Sequence, residues 1–167
     1  MTEINPYQPP KSDVAEPVGV SRTLAGRGQR LGAAFIDGII SIVLLTPVLL
    51  ALGIFDPTRQ RHIQTFEFKM ILALTGFAVF AAVHSYLLAR HGQTVGKRLL
   101  KIKIVNMGFN KPDLGTILIG RYLPIIVLRN IPVVGPFISL VDILFIFRND
   151  RRCLHDLIAG TQVVRCG

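Results

Sequence analysis

The sequence predicts an all-α membrane protein: a small helical bundle of three to four transmembrane segments, the last two a short helical hairpin, with a small cytoplasmic β element. Three observations carry this. Half of the 167 residues are hydrophobic, only 17% are charged, and the mean hydropathy is +0.49, a balance foreign to ordinary soluble domains. Two apolar runs reach the roughly 20 residues that a helix needs to cross the hydrocarbon core. Lysine and arginine gather in the segments between and after the apolar runs, and such segments stay on the cytoplasmic side.

Residues 1–29 are polar and hold Pro6, Pro9, Pro10 and Pro17; they read as a disordered, proline-rich cytoplasmic arm without the apolar core of a cleavable signal. Residues 30–167 form the membrane domain. The first span, 31–55, carries one charge, Asp37, and its Pro47 is tolerable where neighbouring helices re-satisfy the freed carbonyl. The second, 70–89, contains no Asp, Glu, Lys or Arg. The third apolar block is broken by Arg129-Asn130 and by Pro124, Pro132 and Pro136, too many missing donors for one straight helix. It divides into 114–128, carrying Arg121, and 131–147, carrying Asp142. The first half is only about 22 Å long against a ~30 Å core.

Charge sets the topology. Between Arg90 and Lys111 lie six positive residues (Arg90, Lys97, Arg98, Lys101, Lys103, Lys111) and no acid, and the tail 148–167 has four arginines against Asp150 and Asp156. The amino terminus, the loop 90–113 and the tail therefore belong in the cytoplasm, so 114–147 must leave and return. A three-span chain would strand Arg148, Arg151 and Arg152 outside. Within the loop, Leu100, Ile102 and Ile104 alternate with Lys101 and Lys103, the period of a half-buried strand. A second β-prone run, "GTQVVRC", ends the chain; the two are expected to pair beneath the membrane.

Several classes of chemistry are excluded. "GQTVGKR" places three residues between Gly92 and Gly96, with Arg98 after Lys97, whereas a P-loop needs four residues between its glycines and a hydroxyl after the lysine. Neither a G-x-S-x-G elbow nor an H-E-x-x-H pair is present, and no enzymatic activity is expected. The net charge of +9 without any tryptophan points to anionic headgroups, at Lys97, Arg98, Lys101, Lys103, Arg151 and Arg152, and away from nucleic acid. Cys153, His155 and Cys166 fit no standard zinc spacing. The two cysteines read as free thiols, and neither metal nor cofactor is expected. His84 reads as a histidine satisfied by a neighbouring carbonyl, and Gly28 with Gly32 as a G-x-x-x-G at the membrane edge.

Three patterns in this order, "RLGAAFIDGII", "GQTVGKRLLKIKIV" and "RRCLHDLIAGTQVV", resemble the RDD family of small bacterial membrane proteins, named for one arginine and two aspartates. The resemblance covers about residues 27–164. It implies Arg30 as the arginine and Asp37 as the first aspartate; Asp142 or Asp156 fills the second place. It implies a transport role and an inner-membrane location.

On helix rise alone, Asp37, Arg121 and Asp142 each lie about 10 Å from the cytoplasmic side, and unpaired charge at that depth is costly. They are expected to pair, with Arg30, two turns from Asp37 on one helix face, closing the mouth. Two functions fit: ion or small-solute transport by a homo-oligomer, with monovalent cation and proton exchanging at buried carboxylates, or a membrane adaptor whose basic loop and tail hold a partner protein while the charges lock the fold.

Overall fold

The computed structural model describes residues 23–54 and 65–166. Two long helices dominate. α1 (Arg27–Ala51) starts where the Gly26 N–H donates to the Gln29 side chain at 3.0 Å, and it contains Pro47. α2 (Phe66–His91) starts at Thr65, whose hydroxyl accepts the Phe68 N–H, and stops at Gly92 in the left-handed region, φ 65°. A Cβ on Gly92 would also lie 2.7 Å from the Ile104 carbonyl oxygen, so the chain can reverse there only at glycine. Both helices are long and apolar enough to cross a membrane. Only 11% of the apolar window of each is buried against the rest of the chain; a soluble protein's core helix would be mostly covered.

After α2 the chain forms a short helix, α3 (Val95–Leu99), capped by the Thr94 hydroxyl, and then β1 (Ile102–Asn106). A helix from 114 to 129 follows. Its middle, Thr116–Tyr122, is π-helical, and α4 (Leu123–Arg129) completes it. The Leu123 N–H reaches back five residues to the Leu118 carbonyl, and the wide turn ends where Pro124 removes the next donor. α5 (Val134–Leu144) runs into a 3-10 turn, Phe145–Phe147; α6 (Leu154–Ile158) and β2 (Thr161–Arg165) close the chain. The expected break at Arg129-Asn130 is thus present, while the π conformation is not visible in periodicity.

The two β-prone runs do pair. β1 and β2 are antiparallel, from Ile102 opposite Arg165 to Asn106 opposite Thr161. The amino-terminal boundary needs correction: Leu24 bridges Val164, Ala25 N–H donates to the Val163 carbonyl at 3.0 Å, and α1 already begins at Arg27. Residues 23–29, expected in the arm, are therefore structured, because backbone along β2 leaves donors and acceptors to satisfy. The rest of the expected arm lies outside the described residues.

Ala33, Leu88, Ile102, Ile104, Ile117 and Val163 form the main buried cluster, so the core sits where helix ends meet the β ribbon. Farther along, the helices present Phe35, Ile42 and Phe137 outward, each about two-thirds exposed or more. Gly32 receives the Leu100 side chain, at 3.0 Å from where its own Cβ would be; half of the G-x-x-x-G therefore serves packing within the chain. α3 packs against α1 so closely that a Cβ on Gly96 would collide with the Ala33 carbonyl oxygen and lie 3.0 Å from Asp37 Oδ1. Gly96→Ala is expected to destabilise the protein by about 1–3 kcal/mol through overpacking, read as a lower melting temperature in detergent; an unchanged melting temperature would refute the close docking.

Candidate functional site at a buried charge cluster

Among the described residues, three carboxylates lie inside the fold, and each has its own partners. Asp156, fully buried on α6, is the hub. It pairs with Arg30 of α1 and, at 2.5 Å, with Arg121 of the π-helical stretch. The Cys153 N–H donates to it at 3.0 Å, and Arg121 donates to the Thr161 hydroxyl at 2.8 Å. Burial alone would push the Asp156 carboxyl upward, but the Arg121 and Arg30 guanidiniums and the His155 ring outweigh it and hold it well below the usual carboxylate range. Arg121 is itself 1% exposed, and its Nε–H is a buried donor with no partner among the described residues.

Asp37 is held from another direction. Its carboxylate accepts the Thr94 hydroxyl at 2.5 Å and the Gly96 N–H at 2.7 Å. The His84 Nδ1 accepts the Val95 N–H at 3.4 Å, which leaves Nε2, 3.9 Å from Asp37 Oδ1, to carry the ring proton. His84 is thus satisfied by a backbone amide and an acid, not by a carbonyl. Asp142 accepts the His155 backbone N–H at 3.1 Å and faces the His155 Nδ1 at 2.8 Å.

The expected single triad of Asp37, Arg121 and Asp142 is therefore not formed. Arg121 turns to Asp156, Asp142 to His155 and Asp37 to the loop, and Arg30 reaches Asp156 and not Asp37. The depth estimates treated the loop and tail as lying beneath the bundle. Instead α3 rises beside α1 and α6 tucks under the π stretch, supplying nearer partners. The adjacent His155 and Asp156 both enter the cluster: His155 Nε2 is 4.0 Å from Asp156 Oδ2.

Several basic residues assigned to headgroups also have internal work. Lys97 donates to the Tyr122 hydroxyl at 3.3 Å. The Arg151 carbonyl accepts from Arg30, and its guanidinium donates to the Ala25 carbonyl at 3.4 Å. Arg152 donates to the Thr161 and Asp156 carbonyls at 3.1 and 3.3 Å. Arg98 and Lys101 are exposed, and Lys103 is half-buried. Sequence reasoning missed Thr94 and Thr161 altogether; the placement of Thr94 at a helix start, before the apolar Val95, was the signal available for one of them.

The geometry joins Arg30 of α1 to Asp156 of α6, while Asp37, farther along α1, is held by Thr94 and Gly96. Residues 24–160 match the family model described as RDD family. The chain belongs to the RDD family. Asp156, not Asp142, is the aspartate that Arg30 engages in this RDD protein. The chain is also 30% identical over 93 residues to an uncharacterized protein of Haemophilus influenzae, a match covering 55% of this chain and 57% of that protein. It thus spans little more than half the length of that relative. No solved structure matches. Family and apolar helices together make this a membrane protein.

Beside the cluster is a cavity of about 500 Å3, lined by Asp37, Lys97, Arg121, Asp142 and His155 among others. A second, of about 570 Å3, extends toward Lys69 and Asn130 at the other ends of α2 and α4. Ser41, Phe80, Tyr122, Ile125 and Arg129 line both.

Removing Arg121 leaves Asp156 with half its counter-charge; Arg121→Ala is expected to cost about 3–5 kcal/mol, seen as a lower melting temperature or loss of folded protein in detergent. The native carboxyl of Asp156 titrates below its unfolded counterpart. Its stabilisation is complete at neutral pH and is lost as pH falls through and below the carboxylate range. Melting temperature in detergent should therefore fall as pH is lowered toward about 3; a flat profile would contradict the buried pairing.

Proposed function

We propose that this RDD protein is a multi-pass transporter of the bacterial inner membrane, with both termini cytoplasmic, that exchanges a monovalent cation for protons at Asp37. The observation that carries the reading is the pair of adjoining cavities. They run from Asp37 and His155 at one end of the helices to Lys69 and Asn130 at the other, and they share a five-residue waist. On this reading 114–129 and 134–147 are the third and fourth membrane segments.

Asp37 is the candidate exchange group because of what surrounds it. Asp156 is taken by two arginines and Asp142 by a histidine, whereas the described partners of Asp37 are a hydroxyl, an amide and His84, with no guanidinium among them. The Thr94 hydroxyl, 2.5 Å from the carboxylate, adds a second hard oxygen of the kind that alkali cations take, and an intramembrane acid is by default a functional candidate. His84 presents its ring proton to the same carboxylate, so proton and cation compete for one group. A homo-oligomer would supply further walls for a passage lined by so few segments.

The test uses full-length protein in liposomes with an entrapped pH dye. Imposed sodium or potassium gradients should drive proton movement in the wild type, and Asp37→Asn should abolish it while the melting temperature in detergent stays within a few degrees. Ser41→Phe, which fills the waist, should also stop it. No proton movement under any gradient, or full activity in Asp37→Asn, would end this reading.

A further inference from the structure

We infer that Asp142, Cys153 and His155 form a binding site for one zinc-class transition-metal ion, with its open coordination position facing the cavity. The inference does not depend on transport. The Asp142 carboxylate, the Cys153 sulfur and the His155 ring nitrogen lie within 4.8 Å of one another, and all three residues line the same cavity. Carboxylate oxygen, thiolate and imidazole are the three donor types that zinc accepts, and three protein ligands with a vacant fourth position is its open-site arrangement. The chain brings them together by folding the end of α5 against the start of α6, which is why linear spacing did not reveal the set. Cys166, the other cysteine, is elsewhere: its sulfur accepts from the Gln93 amide at 3.2 Å.

The surroundings fit a metal in two further ways. His155 Nδ1 faces Asp142 at 2.8 Å while Nε2 faces Asp156 at 4.0 Å. With the ion on Nδ1, the Nε2–H is directed at a carboxylate, the outer arrangement that orients a ligating histidine. The two donors now 2.8 Å apart need separate only to about 3.3 Å to share a tetrahedral ion with bonds of about 2.0 Å. Cys153 is the second. The Arg30 Nη2 lies 3.7 Å from its sulfur, which sets a cation beside the thiolate that metal binding would form. On binding, the ion replaces the thiol proton, which leaves to solvent, and it takes the place of the proton between Asp142 and His155. Asp142, the thiolate and Asp156 then set three negative charges against the ion and the two arginines.

Cobalt(II) serves as the probe, because it occupies zinc sites and is coloured. Full-length protein in detergent, stripped with a chelator, is titrated with cobalt. One equivalent should give the intense visible bands of four-coordination and a sulfur-to-cobalt charge-transfer band, both erased by zinc. Cys153→Ser should lose the charge-transfer band, and Asp142→Asn and His155→Gln should each weaken binding by at least about tenfold. Cys166→Ser should leave everything unchanged. Absence of these bands at saturating cobalt, or a full spectrum in Cys153→Ser, would overturn the site. Should the variants not fold, zinc-edge X-ray absorption on the wild type decides instead. One sulfur at about 2.3 Å supports the site, and a shell of oxygen and nitrogen alone overturns it.

Discussion

A charge taken out of water must find its counter-charge inside the protein, and in this RDD protein one carboxylate meets that demand for two arginines. Asp156 has no exposed surface, and Arg30 and Arg121 close on it from two different helices. Either arginine without it would be an uncompensated cation in a poorly solvated site, a situation worth several kcal/mol. The clasp therefore fixes the relative positions of α1, the π-helical stretch and α6. Everything else at that end of the bundle, including the β ribbon and the cavity, is arranged around those three fixed points.

The second device works by proximity of backbone. Gly96 lets α3 lie against α1, and that contact carries the Gly96 amide and the Thr94 hydroxyl to Asp37. An acid two turns into a membrane-type helix is thus satisfied by neutral dipoles and not by an ion pair. The distinction matters chemically. The Asp156 carboxylate is clamped by two guanidiniums, whereas the Asp37 carboxylate is held by a hydroxyl and an amide.

Much of the architecture was legible in the residues. Apolar run length gave the two long helices, Arg129-Asn130 the division of the third block, and period-two alternation the first strand. Asp37, Arg121 and Asp142 were recognisable as buried charges because an ionisable residue inside an apolar run demands explanation. Their partners were not recognisable. Helix rise gives depth along a single helix, but pairing depends on which loops fold back, and the nearest partners of Asp37 and Arg30 came from the loop and the tail. The π turn was hidden for a related reason: it alters hydrogen bonding without altering which residues are apolar. Cys153 was separated from Asp142 by a turn whose direction no spacing rule specifies.

The clasp also has an order in time. Arg30 and Arg121 are synthesised before the aspartate that neutralises both. Until α6 is made, neither guanidinium has the carboxylate with which it pairs in the folded protein. Docking of that short helix then acts as a latch that holds α1 and the π-helical stretch together.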